Sequence, residues 1–271
     1  SNRLITGWSG VRVPEGPPNE GWIIQYPSFF AYVCLRKGDK MIRLQGRLLQ
    51  AASMLEGCEK PADIGTDHAY IPIYLVQSGK FDRVIATDVK KGPLQKAARN
   101  IDKYHLSDKI ELRLGDGIKP IREGECDSFI LAGMGGVVIS EILKASPEQV
   151  KRAKALILQP VYNEAYLREF LYREGFRIDD EAIVQDEGRF YVVIRAAYDG
   201  ISRHCEDLYY HIGETLFKRK DPLLKPYLEW RIHIQGKIAH GMAKSELRHP
   251  DDIQKEMKLL ESMKEAYAAL E

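Results

Sequence analysis

Between residues 61 and 160 five short apolar runs each close at Asp, Gly or Pro, and stretches with helical spacing separate most of them. The runs are PADI (61–64), RVIATD (83–88), KIELRLGD (109–116), SFILAG (128–133) and ALILQP (155–160). Runs this short and apolar, separated by segments with three-and-four spacing, read as buried strands alternating with helices. The helices are predicted over 69–78, 92–104, 137–143 and 165–175. Residues 176–198 read as two antiparallel strands joined at Glu187-Gly188. Such β-α-β repetition specifies an α/β fold with a mostly parallel, doubly wound sheet, here closed on one edge by an antiparallel pair.

The flanks differ from this centre. MIRLQGRLLQAASML (41–55) has helical spacing, with Gly57 as its stop. Residues 1–40 have Pro and Gly breaks and no sustained period, and the order of a signal peptide is absent. They are read either as an expression scar plus translated upstream sequence or as a genuine extension that packs Trp22, Phe29 and Phe30. After Asp199 the strand runs stop, and 202–220, 222–248 and 250–270 carry helical spacing punctuated by Pro222, Pro226 and Pro250. The expected organisation is an N-terminal extension (1–40), an α/β domain (41–200) and a helical arm (201–271), the arm an antiparallel coiled-coil hairpin. The arm is expected to grip a large partner. Residues 222–271 hold eight basic and eight acidic side chains, so their bulk charge is neutral.

Composition excludes several classes. No apolar run reaches the ~18 residues of a membrane helix. Cys34, Cys58, Cys126 and Cys205 lie far apart with no CxxC pair, which argues against a zinc site or a disulfide framework and for a reducing cytosol. With 40 basic and 39 acidic residues there is no global basic field, so a nucleic acid must be met by a local patch. Segment 80–103 offers one, with seven basic residues against three acidic, and Lys96, Arg99 and Lys103 share a helix face. Lys218 and Arg219, where the arm begins, are further candidates.

In a doubly wound sheet, ligands bind beyond the carboxyl ends of the strands. The first strand runs into Asp63-Ile64-Gly65-Thr66-Asp67-His68. Gly65 lets a ligand approach the backbone. This is not GxGxxG: Asp67 and Tyr70 occupy the second and third glycine positions, and a carboxylate at that helix N-terminus opposes a pyrophosphate. A ligand carrying an ammonium and a sulfonium gains from it, which favours S-adenosylmethionine (AdoMet) over NAD. Asp88, at the second tip, can accept both ribose hydroxyls. Asp116, at the third, can accept from the adenine amino group, with Gly117 lying against the ring. The fourth ends in Ala132-Gly133-Met134-Gly135-Gly136.

ADIGTDHAYIP, the TD at 87–88, GDG at 115–117, AGMGG at 132–136, LILQP at 156–160 and EGRFYVVI at 187–194 together resemble the bacterial tRNA (adenine22-N1)-methyltransferase family, TrmK. The resemblance runs from about Met41 to Ala197, and the helical tail agrees with that family's coiled coil. It implies a Rossmann-like class I methyltransferase that uses AdoMet to methylate N1 of an adenine in tRNA. It also implies that Asp63, Gly65, Asp67, His68, Asp88, Asp116 and Gly117 line the cofactor pocket, beside Ala132. Val161-Tyr162-Asn163 departs from the family, which often places Asn directly after the proline, and this leaves Asn163 without an assigned role.

Adenine N1 is itself the nucleophile, so the site needs alignment and a place for positive charge, with no catalytic triad. The loop residues Gly133, Met134 and Gly135 are expected to meet the base, through backbone carbonyls and an apolar wall at Met134. Tyr162 is expected to stack on a flipped base, and His68 to position cofactor or base. Two alternatives remain at this level: a methyltransferase of another RNA or a small molecule, and a non-catalytic AdoMet-binding scaffold.

Overall fold

The computed structural model describes residues 22–25, 33–36, 41–244 and 249–270. Phe29 and Phe30 lie outside the described residues. Strands β1 (Trp22–Gln25) and β2 (Val33–Arg36) form an antiparallel pair.

A seven-stranded sheet organises the rest. Its strands are β3 (Pro61–Ile64), β4 (Val84–Asp88), β5 (Ile110–Leu114), β6 (Ser128–Met134), β7 (Ala155–Pro160), β8 (Phe176–Asp186) and β9 (Arg189–Tyr198). The order is β5-β4-β3-β6-β7-β9-β8. The pairings among β3 to β7 are parallel, and β9 runs antiparallel to both β7 and β8. The order in which successive strands are added to the sheet reverses between β3 and β6, which opens a crevice at their carboxyl ends. β3 and β7 are buried along their whole length, as central parallel strands must be. Glu187 and Gly188 both have positive φ (49° and 74°), the geometry of a two-residue turn that matches strand twist.

Alternate residues of each strand feed two cores. Phe129, Leu131, Leu156 and Leu158 face one side, with α4 (Gly136–Lys144) and α6 (Glu164–Arg173). Ile130, Ala155 and Ile157 face the other, with α1 (Gly46–Ser53), α2 (Tyr70–Gln77) and α3 (Lys91–Lys103). This follows from the two-residue period of a strand. Helix α1 starts later than the apolar spacing from Met41 predicts. Gly46 (φ +51°) packs on the Asp186 carboxylate, which also pairs with Arg47 at 3.0 Å, and this contact fixes where the helix begins. Helix α5 (Pro147–Arg152), one and a half turns opened by Pro147, was not expected from spacing because a segment so short shows no period.

The C-terminal segment comprises α7 (Asp207–Ile212), α8 (Glu214–Arg219), α9 (Leu224–Ala243) and α10 (Pro250–Ala268). Gln235 bonds the Glu256 backbone carbonyl at 3.2 Å, and Lys225 lies 5.4 Å from the Tyr267 ring. Partner numbers rise on one helix as they fall on the other, so α9 and α10 are antiparallel. Leu224, Tyr227, Leu228, Leu259 and Met263 are buried in the same core as Leu156 and Leu158. The hairpin base is therefore continuous with the sheet's own core. Behind it the fully buried Arg168 binds Glu181 (2.7 Å) and the carbonyls of Tyr210 (2.8 Å) and Ile212 (3.2 Å), which ties α6 and β8 to the end of α7.

Candidate active site at the carboxyl ends of the strands

The three expected carboxylates lie at the carboxyl ends of three adjacent strands. Asp63 is in β3, Asp88 ends β4, and Asp116 follows β5. Asp63 and Asp88 are buried (6% and 9% exposed), and among the described residues no basic side chain pairs with either. Burial, with a smaller push from the Asp88 charge and an opposing one from the Thr66 hydroxyl, raises the Asp63 carboxyl to about 6. Two buried carboxylates without a protein cation suit a ligand that brings positive charge and hydroxyl donors. Asp88 Oδ1 accepts the Lys90 N–H at 2.7 Å, which holds the strand tip and leaves its second oxygen for a ligand. Asp116 is exposed and paired with Lys119 at 2.6 Å.

The turn after β3 is built for close approach. Gly65 has φ +80°, and the methyl end of Met134 fills the space where a Cβ would stand. The Gly65 and Thr66 N–H groups both donate to the Thr87 carbonyl (2.8 and 2.9 Å), which draws this turn toward β4 and away from β6. Thr87 Oγ1 in turn donates to the Gly117 carbonyl at 2.9 Å, so Gly117 sits in the same corner. Asp67 lies 3.2 Å from His68 Nε2 and 3.8 Å from Lys96 Nζ. His68 stacks on Tyr70, with ring centres 5.1 Å apart, and its carbonyl accepts from Asn100 at 2.9 Å.

The loops after β6 and β7 are zipped together. Val161 N–H donates to the Met134 carbonyl (2.9 Å) and Gly136 N–H to the Tyr162 carbonyl (2.8 Å). Gly133 N–H donates to Gln159 Oε1 at 3.0 Å, while Gln159 Nε2 donates to the Pro160 carbonyl at 2.9 Å. Gly135 faces the Tyr162 ring and Gly136 the Asn163 carbonyl, so neither position has room for a side chain. Asn163 (φ 60°) makes the turn into α6, a backbone role. Tyr162 is 57% exposed. Exposed large apolar side chains gather at this end: Tyr70, Val89, Leu114, Val137, Val138 and Tyr162 each lie at or just after a strand's carboxyl end.

The expected polynucleotide contacts divide into two groups. On α3, Lys96, Arg99 and Lys103 are exposed opposite the buried Ala97 and Ile101. On α8, Lys218 pairs with Glu214 at 2.8 Å and Arg219 with Asp180, so their charge is partly spent within the protein. Gln159 was overlooked in the sequence, although an amide inside an apolar run is itself a signal, because buried polar groups need partners. The Thr87 carbonyl had no sequence signal at all. A cleft of about 730 Å³ opens at the opposite, amino ends of β3 to β5, where charges such as Arg113 and Glu125 pair with each other. Among the described residues no cluster could hold a metal ion, and no helix is long and apolar enough to cross a membrane.

Residues 44–194 match the family model described as a methyltransferase domain. The chain is 37% identical over 203 residues to the tRNA (adenine(22)-N(1))-methyltransferase of Bacillus subtilis (strain 168), covering 72% of this chain and 84% of that protein. The crystal structure of the B. subtilis m1A22 tRNA methyltransferase TrmK superposes with a TM-score of 0.72 at 29% identity, covering 82% of this chain and 99% of that one. TrmK of M. capricolum in complex with S-adenosyl-homocysteine gives a TM-score of 0.70 at 27% identity, covering 84% and 99%.

Proposed function

Because this chain belongs to the tRNA (adenine(22)-N(1))-methyltransferase family, we propose that it transfers a methyl group from AdoMet to N1 of adenine 22 in tRNA. The observation that carries this reading at the site is the pair of buried carboxylates, Asp63 and Asp88, lacking a protein cation beside a glycine-lined crevice. Asp63, Gly65, Asp67, His68, Asp88, Asp116 and Gly117 hold the cofactor, with Ala132 at its edge. Bound AdoMet would supply an electrophilic methyl to the N1 lone pair and leave as a neutral thioether, the positive charge then being carried by the methylated purine.

The chain's own residues do three things. Asp88 accepts ribose hydroxyls, and Asp63 supplies negative charge near the cationic part of the cofactor. The Gly133–Gly136 loop meets the target base, Met134 walls it, and Tyr162 stacks on it once it is flipped out. Lys96, Arg99 and Lys103 engage tRNA phosphates and help offset the cost of extruding the nucleotide, with the helical arm extending the grip through Lys218 and Arg219. The expected organisation is an α/β methyltransferase domain with that arm, and the cytoplasm is its place of work, where the thiols of Cys58, Cys126 and Cys205 stay free.

The test is incubation with methyl-labelled AdoMet and unmodified tRNA, followed by nucleoside analysis. Label is expected in N1-methyladenosine and is expected to vanish from a transcript whose adenine 22 is replaced by guanine. Label confined to another nucleoside overturns the reading. Asp88→Ala is expected to weaken AdoMet binding at least about tenfold in calorimetry, since it removes charged acceptors; unchanged affinity places the cofactor elsewhere.

A further inference from the structure

The Ala132–Gly133 peptide sits at the mouth of the crevice, and its orientation is set from behind. Gly133 N–H points to β7, where the fully buried Gln159 amide receives it. The peptides of the described residues are all trans, so the carbonyl on the other side of that bond, that of Ala132, points the opposite way, toward β3. There the ladder has run out: its last pair is Ile64 with Leu131. The next backbone donors on that side, Gly65 and Thr66, are both turned away to the Thr87 carbonyl. The Ala132 carbonyl is thus aimed into the space between the ends of β3 and β6, with no β3 backbone donor to meet it. Gln159 cannot turn over without placing its NH₂ against the Gly133 N–H and its oxygen against the Pro160 carbonyl.

We propose that the Ala132 carbonyl accepts the exocyclic amino group of the target adenine, and that Gln159 is the positioning residue that keeps it aimed there. This inference rests on the reading that the reaction is methyl transfer to adenine N1. The amino group is the donor next to N1 on adenine's Watson–Crick edge, whereas guanine presents a carbonyl oxygen there, which another carbonyl repels. The contact therefore selects the base. It also favours the transition state over the ground state. As N1 takes the methyl, positive charge spreads onto the amidine and makes the amino hydrogen a stronger donor.

The test compares tRNA carrying adenosine at the target position with the same tRNA carrying purine ribonucleoside, which keeps N1 and lacks the amino group. Both are assayed with the wild-type protein and with Gln159→Leu. For the wild type, loss of the amino group is expected to lower kcat/KM about 10- to 100-fold. Gln159→Leu is expected to lower kcat on adenosine tRNA by a similar factor, with AdoMet affinity within about twofold of wild type. The variant is then expected to discriminate between the two substrates at least about tenfold less than the wild type does. Lower intrinsic reactivity of purine appears equally in both proteins, so the difference between their ratios reports the contact. Equal rates of the wild type on the two substrates, or factors that simply multiply in the variant, overturn the inference. Should Gln159→Leu fail to fold, Gln159→Met, close to glutamine in volume and without an amide, takes its place with the same expected loss of discrimination, and full retention of the wild-type discrimination counts against the proposal. Absence of N1-methyladenosine from wild-type reactions with adenosine tRNA removes the functional reading itself, a result distinct from equal rates on the two substrates.

Discussion

Asp63 shows how one residue's environment is set by the fold and reports on the ligand. Its carboxyl is raised to about 6, first by burial and then by the Asp88 charge. A carboxylate whose folded value lies above its unfolded value of 3.8 costs stability when ionised, so this group destabilises the ligand-free protein as pH rises through about 4 to 6. At neutral pH the ionised carboxyl costs the fold roughly 3 kcal/mol. Asp63→Asn is therefore expected to raise the melting temperature of the ligand-free protein at pH 7.5 and to leave it nearly unchanged at pH 4. The same variant is expected to bind AdoMet at least about tenfold more weakly, because the cation loses its counter-charge. Thermal shift across that pH range, with calorimetry for the ligand, checks both. A variant no more stable at pH 7.5 means that the carboxyl is compensated by something else.

At the level of single elements, α3 carries the clearest electrostatic expectation. Its buried residues, Ala97 and Ile101, fix the helix on the sheet, and Lys96, Arg99 and Lys103 stand on the opposite side. Replacing all three by Glu is expected to weaken tRNA binding by about 10²-fold or more at low salt and to flatten the dependence of log K on log salt by up to about 2–3 units, one for each lost phosphate contact. AdoMet affinity is expected to hold or rise slightly, because Lys96 competes with the cationic ligand for Asp67. Filter binding at several salt concentrations measures this, and an unchanged slope moves the RNA path off α3. The ends of this helix were legible because Gly92-Pro93 suits a first turn. The start of α1 was not, because the Asp186 carboxylate that fixes Gly46 comes from a strand 140 positions away in the sequence.

For the molecule as a whole, the arm and the sheet share one hydrophobic core among the described residues. Leu224, Tyr227 and Leu228 share a core with Leu156 and Leu158, and the Arg168–Glu181 pair lies fully buried at the seam. Removing one member of such a pair leaves an uncompensated charge and costs about 3–5 kcal/mol, whereas replacing both by apolar groups can be close to neutral. Arg168→Met is therefore expected to lower the melting temperature strongly, and Arg168→Met with Glu181→Leu to recover most of the loss. Calorimetry is expected to give a single transition for the wild type. Two separate transitions would show the arm folding on its own. His211, also at the seam, is pushed down to about 4 by burial and by Arg231 and Arg168. A base depressed in this way supports the fold above its unfolded value and withdraws that support as pH falls toward 4, so the seam is expected to loosen in acid.

The order of strands and helices, the acidic tips and the glycine turns were all written in local sequence. Strand burial sets an apolar run, a strand end needs a turn former, and both signals span only a few residues. The sequence also carried Asp63, Asp88 and Asp116 as a set, because each lies within two residues of its own strand's carboxyl end. What pairs across the sheet lay beyond it. That Gly65 and Thr66 turn to Thr87, that Met134 fills the space over Gly65, and that Gln159 holds the Gly133 peptide depend on which strands become neighbours. So does the fate of Lys218 and Arg219, whose acidic partners include Asp180 on β8. Neighbourhood in a doubly wound sheet is decided by how all the layers pack at once, and no single segment encodes it.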